Sequence, residues 1–283
     1  MLRHQHTAGR KQSWETADTD IREFVERLVG DVSELLEPSG FVGAYLHGSL
    51  AAGSFYRPKS DLDILFVVHG SMSVEQRRKA AHALCNLSDA RPIIGEIETS
   101  IVLLSNTLNF QHPLPFEFHY SETHKEAFRN DTADFAENSK DFDMAVYCSV
   151  IQKLGICLNG APIDTTFGDV PVEYYRAAIV DDLDWILENE NILESPFYGV
   201  LNCCRVLEQH QNGWQNFFTK DEGGEWAIKN LPADYHAIIS QALACYRSSE
   251  NVSADERRTD GHDWDRAALL SLRDYVRQQN IGS

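Results

Sequence analysis

Two carboxylates, Asp61 and Asp63, stand one residue apart where an apolar stretch begins, in the segment HGSLAAGSFYRPKSDLDILFVV (47–68). Side chains at positions i and i+2 of a β-strand point to the same face, so their oxygens can converge on one or two hard cations. Burying such charges without a partner costs several kcal/mol. The pair therefore predicts a cation site at the mouth of a strand.

A third carboxylate comes from GEIETSIVLLS (95–105), whose alternation predicts a strand with Glu96 and Glu98 on one face. We expect an antiparallel pairing to bring one of these two to the acidic pair. Three carboxylates without a sulfur ligand favour Mg²⁺ or Mn²⁺ over Zn²⁺. Mg²⁺ bound in this way completes its coordination with substrate phosphates, while a carboxylate can accept a proton from an attacking hydroxyl. The cluster therefore predicts phosphoryl or nucleotidyl transfer.

Small residues surround the acidic pair. Gly48 and Ser49 follow the apolar stretch FVGAYL (41–46), and Ser60 directly precedes Asp61. A turn without bulky side chains lets backbone amides and a hydroxyl approach phosphate groups closely. The Gly-Ser turn strengthens the interpretation of the acidic pair as a phosphate-handling site.

Periodic patterns predict the elements that position these residues. Apolar residues recur at helical spacing over 18–37, FVGAYLHGS (41–49) predicts a short strand that runs into a turn, and a second strand is expected over 61–68. Ser73 with Gln76 predicts a capped helix over 73–88, and the Gly- and Pro-containing segment 155–171 predicts a loop. Further helices are expected over 141–154, 172–189, 196–209, 222–229, 234–247 and 263–278.

The length of 283 residues and a change of pattern near residue 130 predict two domains, an α/β half and an all-helical half. The net charge of −18 and the lack of a basic stripe argue against nucleic acid as a partner. No apolar run approaches the roughly 20 residues of a membrane span. We expect a cytoplasmic, monomeric protein that binds a cationic small molecule and contacts neither membrane nor nucleic acid.

The Gly-Ser turn followed by Asp-x-Asp resembles the motif of the DNA polymerase β-like nucleotidyltransferase superfamily. From about residue 44 to 276 the chain looks like the aminoglycoside nucleotidyltransferases that adenylylate streptomycin and spectinomycin. The resemblance implies an α+β fold. A polymerase β-like nucleotidyltransferase domain with a small mixed sheet would span 15–130, and an α-helical bundle domain that completes the nucleotide and acceptor site would span 131–283.

The same resemblance assigns roles to individual residues. IETSIV is similar to the strand that carries the catalytic glutamate of the family, which selects Glu98 as base and as a metal ligand shared with Asp61 and Asp63. LNCCRV looks like the helix whose arginine, here Arg205, reaches the nucleotide. TKDEGGEWAIKNLP is similar to the element that supplies a phosphate-binding lysine, here Lys220.

The family's reaction transfers AMP from ATP to an antibiotic hydroxyl, uses two Mg²⁺ ions and releases pyrophosphate. For this chain it implies that Gly48, Ser49 and Ser60 lie near the phosphates. A cationic acceptor would lie against acidic groups such as Glu122 and Asp182.

This chain departs at two places from the streptomycin-modifying members of the family, and these two differences decide which acceptor we expect. Streptomycin-modifying members carry a tryptophan after a Phe-Gly-Glu element, where this chain reads HYSETH (119–124). They also have a tryptophan and acidic residues before the arginine-bearing helix, where it reads NILESPFYG (191–199). The loss of these stacking and ion-pairing partners favours spectinomycin over streptomycin. Two alternatives stay open: a nucleotidyltransferase for a metabolite or protein acceptor, and a nonenzymatic nucleotide-binding sensor of the same fold.

Overall fold

The computed structural model describes residues 9–136, 139–249, 253, 256–257, 259 and 263–281. The chain divides into two compact units. The first, here called the sheet unit, comprises Gln12–Phe55 and Ser60–Tyr174. The second, the helical unit, comprises Met1–Lys11, Tyr56–Lys59 and Tyr175–Ser283.

The described residues of the sheet unit form seven strands: β1 (Phe41–Leu46), β2 (Leu62–Val68), β3 (Ile97–Leu103), β4 (Leu114–Phe116), β5 (Phe118–Tyr120), β6 (Ser139–Asp141) and β7 (Ile156–Gly160). Five of them form a mixed sheet in the order β5-β3-β2-β1-β7, and β4 pairs with β6. β2 and β3 run parallel, while the other pairs are antiparallel. The mixed sheet confirms the predicted fold class.

The antiparallel pairing expected for the acidic strands is wrong. β2 and β3 are parallel because a helix, α3 (Val74–Asp89), connects them as a crossover. α3 begins as predicted: the backbone N–H of Gln76 donates to Oγ of Ser73, and Oε1 of Gln76 accepts from the backbone N–H of Ser73. This crossover brings the starts of both strands to the same edge.

Helices cover both faces of the sheet. α1 (Thr19–Leu36) and α3 bury their apolar sides with alternate residues of β2, such as Ile64 and Phe66. The remaining alternate residues, such as Leu65 and Val67, pack in a second core with α6 (Met144–Leu154). The period of two along β2 therefore places Asp63 on the face that α6 covers. The unit also contains α2 (Gly48–Ala51), α4 (Leu104–Leu108), α5 (Lys125–Arg129) and α7 (Ile163–Thr166).

The expected loop over 155–171 is also wrong, because its first residues form β7, which pairs antiparallel with β1. Gly160, one of the glycines that favoured a loop, ends this strand. Gly160 has φ +96° there, and a Cβ on it would approach the carbonyl oxygen of Val42 to 2.2 Å. Because β7 and α6 pack with the sheet, the boundary between the units falls at Tyr174 and Tyr175, not near residue 130.

The helical unit is built from α8 (Val172–Leu187), α9 (Pro196–Asn212), α10 (Lys220–Asn230), α11 (His236–Tyr246) and α12 (Arg266–Arg277), with α8 beginning just before the boundary. α10 begins two residues earlier than expected because Thr219 and Glu222 form a capping box. α12 begins at Arg266 because the Asp265 carboxylate accepts two backbone hydrogen bonds. None of the described helices is long and apolar enough to cross a bilayer.

Candidate active site

The predicted acidic residues meet at the edge of the sheet where β2 and β3 begin. Asp63 lies in register with Glu98 on the neighbouring strand. Asp61 directly precedes β2, and its Oδ1 accepts a hydrogen bond of 2.6 Å from the backbone N–H of Glu96. The three carboxylates, here called the acidic edge (Asp61, Asp63 and Glu98), are therefore brought together by the strand register. Glu96 precedes β3, so Glu98 is the residue that the register places beside Asp63.

Glu98 lies among other negative charges. Burial raises the pKa of its carboxyl, and the charges of Asp61 and Asp141 add to that rise. A hydrogen bond from the hydroxyl of Tyr147 to Oε1, at 2.5 Å, acts in the opposite direction. A carboxylate held in this way is suited to accept a proton or to bind an external cation.

A glycine is required beside the acidic edge. Gly48 begins α2 with φ +62°, and a Cβ at this position would lie 1.9 Å from Oδ2 of Asp63. The preceding residue, His47, donates its backbone N–H to the carbonyl oxygen of Asp63 at 3.0 Å. Burial lowers the pKa of the His47 side chain to about 3, so its ring is neutral near pH 7. Ser49 follows in the same turn of α2.

A second glycine, which the sequence interpretation missed, packs against Ser60. Ser60 is buried, and a Cβ on Gly95 would lie 1.9 Å from its carbonyl oxygen. This close approach holds the segment before Asp61 against the segment before β3. Only its position two residues before β3 could have indicated Gly95. No periodic signal marked Tyr147, which lies on α6 far along the chain.

The donor set of the acidic edge fits Mg²⁺, because hard divalent cations prefer carboxylate oxygens and would offset the clustered charge. Within the described part of the chain, no group of three or more Asp, Glu, His or Cys side chains is already arranged to hold a metal ion. Asp61 and Glu98 each accept a hydrogen bond from a protein donor instead. Asp61, Asp63 and Glu98 thus stay a predicted ligand set.

The two cations predicted to contact the nucleotide lie in the helical unit, on neighbouring helices. Arg205 is on α9, and its Nε has no hydrogen-bond partner among the described residues. Lys220 is the first residue of α10. α9 and α10 approach each other closely at Gly223, where a Cβ would lie 2.7 Å from Cα of Arg205. Both positions suit a phosphate contact.

One of the two predicted acceptor residues, Asp182, is linked to Lys220 through Tyr198. The Lys220 ammonium is 4.7 Å from the ring centre of Tyr198, whose hydroxyl donates to Oδ1 of Asp182 at 3.1 Å. The described part of the helical unit therefore groups a candidate phosphate ligand, an aromatic ring and a carboxylate.

The other predicted acceptor residue, Glu122, lies in an ion-pair network of the sheet unit. Its carboxylate is 3.1 Å from Nζ of Lys125 and 3.5 Å from Arg91, and it accepts a hydrogen bond from the hydroxyl of Ser88. Burial acts to raise the pKa of Glu122, but Ser88, Lys125 and Arg91 lower it overall. A cationic acceptor would have to compete with two cations of the protein.

Comparison with known proteins gives consistent matches. Residues 165–267 match the family described as aminoglycoside adenylyltransferase, C-terminal domain. A spectinomycin 9-adenylyltransferase of Staphylococcus aureus is 29% identical over 212 residues, which cover 74% of this chain and 79% of the relative. An aminoglycoside (3'') (9) adenylyltransferase of Shigella flexneri is 25% identical, with 84% and 89% covered.

The fold agrees with a solved structure, that of the spectinomycin adenyltransferase AAD(9) from Enterococcus faecalis with ATP and spectinomycin. The TM-score is 0.74 at 18% identity, over 93% of this chain and 99% of the other. The adenylyltransferase relatives favour an enzyme over the nonenzymatic sensor. The chain is therefore similar to the aminoglycoside adenylyltransferases over most of its length and is a nucleotidyltransferase enzyme.

Proposed function

We propose that this enzyme transfers AMP from ATP to a hydroxyl of an aminoglycoside or aminocyclitol antibiotic in a Mg²⁺-dependent reaction that releases pyrophosphate. The observation that carries the proposal is the register of Asp63 with Glu98 on parallel strands, with Asp61 hydrogen-bonded beside them. This arrangement puts a candidate base within the same small area as the candidate metal ligands.

The chemistry assigns one shared task to the three carboxylates and a second task to Glu98 alone. Asp61, Asp63 and Glu98 would hold Mg²⁺, which when bound neutralises charge on the triphosphate. Glu98 accepts the proton of the acceptor hydroxyl while the hydroxyl oxygen forms a bond to the α-phosphorus of ATP. The bond from the α-phosphorus to the bridging oxygen breaks, and pyrophosphate leaves with that oxygen.

The remaining predicted contacts concern the nucleotide. We propose that Arg205 and Lys220 bind its phosphates, since Nε of Arg205 has no hydrogen-bond partner among the described residues and Lys220 begins the neighbouring helix α10. Gly48 leaves room for a close approach of the backbone, and Ser49 and Ser60 supply hydroxyl groups nearby. A guanidinium suits this role because it can donate two parallel hydrogen bonds to a phosphate.

The proposed acceptor is cationic, and spectinomycin is favoured over streptomycin. Relatives named for spectinomycin support this choice, as does the lack of the tryptophans expected for a streptomycin site in 119–124 and 191–199. Of the two acidic acceptor contacts predicted from the sequence, we propose only Asp182. Glu122 is already paired with Lys125 and Arg91.

The test is pyrophosphate release from ATP and Mg²⁺ with spectinomycin, with streptomycin and without an acceptor, combined with mass spectrometry of the drug. Release with spectinomycin and a mass gain of one adenylyl group are expected. Glu98→Ala should abolish both, whereas Glu96→Ala is the matched control one position before β3 and should retain turnover. Release with both drugs would contradict the preference, and release with neither would contradict the antibiotic as acceptor.

A further inference from the structure

We propose that Tyr147 is a positioning residue for Glu98, in an inference that rests on the role proposed above for that carboxylate. The phenol holds one carboxylate oxygen of Glu98, so that the other oxygen faces the metal and the acceptor hydroxyl. None of the motifs in the sequence assigns this residue.

The first support is the hydrogen bond and the helix that presents it. The hydroxyl of Tyr147 lies 2.5 Å from Oε1 of Glu98. Tyr147 is in the first turn of α6, whose residues Met144, Cys148 and Ile151 are buried in the core against the sheet. α6 lies on the same face of the sheet as Asp63 and Glu98, so the phenol reaches the carboxylate from an anchored element.

The second support is the ring that backs the phenol. The rings of His47 and Tyr147 have centroids 4.8 Å apart and planes inclined by 34°. His47 is only 5% exposed, and its backbone N–H donates to the carbonyl oxygen of Asp63. One buried residue thus supports both the phenol that holds Glu98 and the strand that carries Asp63.

The charges around Glu98 explain why a positioning group is needed. Asp61 and Asp141 repel its carboxylate, and a glutamate side chain has several rotatable bonds through which it could turn away. A neutral hydrogen-bond donor opposes that movement without neutralising the carboxylate. Removal of such partners of metal ligands typically costs about 10- to 100-fold in metal affinity or activity.

The test compares Tyr147→Phe with the wild type. Phenylalanine keeps the ring beside His47 and removes only the hydroxyl. We expect kcat to fall about 10- to 100-fold, with the KM for ATP unchanged within about threefold. Mn²⁺ alone, titrated by electron paramagnetic resonance of the free ion without acceptor, should bind about 10-fold more weakly.

The matched control is Tyr45→Phe in the same unit. The Tyr45 hydroxyl hydrogen-bonds to the carbonyl oxygen of Ala161 and to the hydroxyl of Thr166, both at 2.8 Å. Neither of these partners belongs to the acidic edge. This variant should lower the midpoint of thermal unfolding while kcat and Mn²⁺ affinity stay at their wild-type values. If Tyr147 had only a structural role, Tyr147→Phe would show the same result: a lower midpoint of thermal unfolding with unchanged kcat and Mn²⁺ affinity.

Two outcomes overturn the inference: Tyr147→Phe that matches the wild type in kcat and Mn²⁺ affinity, or wild-type protein that binds no Mn²⁺. If the wild type binds Mn²⁺ but adenylylates no drug, the antibiotic proposal fails separately. The Mn²⁺ titration then still decides the role of Tyr147, because weaker binding by the Phe variant supports it and equal binding contradicts it.

Discussion

Two carboxylates of the sheet unit, Glu98 and Glu122, have opposite surroundings. Glu98 accepts a hydrogen bond from a neutral phenol beside other carboxylates, and its pKa is raised. Glu122 is within ion-pair distance of Lys125 and Arg91, and its pKa is lowered. A carboxylate paired with cations of its own chain stabilises the fold. A carboxylate held by a neutral donor among like charges remains able to bind an external cation.

The largest effect in this comparison is expected for Glu98→Gln. Glutamine can neither accept the hydroxyl proton nor contribute negative charge to the metal, so kcat should fall about 10³-fold or more. The free energy of unfolding should stay equal or rise, because repulsion within the acidic edge is reduced. Steady-state kinetics and urea unfolding measure the two quantities. More than a tenth of wild-type turnover would contradict the assignment of Glu98.

The next effect is expected for Gly48→Ala, which tests whether the acidic edge needs its close backbone approach. The new Cβ would collide with Oδ2 of Asp63 at a positive φ, so turnover should fall about 100-fold and stability by about 1–3 kcal/mol. Gly30→Ala is the control in α1, where a Cβ has no neighbour within 4 Å. That variant should gain up to about 1 kcal/mol and keep its turnover.

Glu122→Gln tests the other side of the comparison. The loss of its charge leaves Lys125 and Arg91 close together without their shared anion, and stability should fall by about 2 kcal/mol. Urea unfolding measures this change. A raised KM for the acceptor with unchanged stability would instead support the acceptor contact predicted from the sequence.

A third carboxyl, Glu208 on α9, gives the smallest effect and shows whether a raised pKa alone marks a site. Burial, with the charge of Glu222, raises its pKa to about 7. The folded state therefore holds a proton that the unfolded chain releases above about pH 4.5, so stability should decrease as the pH rises from there through about 7. Urea midpoints at pH 5 and pH 8 should differ less in Glu208→Gln. If the urea midpoints at pH 5 and pH 8 differed as much in Glu208→Gln as in the wild type, Glu208 would not be the source of this pH dependence.

Local sequence signals predicted most of the elements and part of the site. The Asp-x-Asp pair, the Gly-Ser turn and the alternation around Glu98 depend on neighbouring residues, as does the capping box of Ser73 with Gln76. Such signals predicted β1, β2 and the longer helices to within a few residues, but not the short helices α2, α4, α5 and α7. They could not distinguish β7 from a loop, because its Asn-Gly end resembles a turn until it pairs with β1.

Residue type, period and turn chemistry are properties of short segments, and they sufficed to predict the candidate catalytic residues. The parallel pairing of β2 with β3, the hydrogen bond from Tyr147 to Glu98 and the ion pairs of Glu122 with Lys125 and Arg91 became visible only in the folded chain. Tyr147 is 49 residues from Glu98 along the chain. The physical reason is that strand pairing and the meeting of distant charges depend on how whole elements pack, which no local pattern encodes.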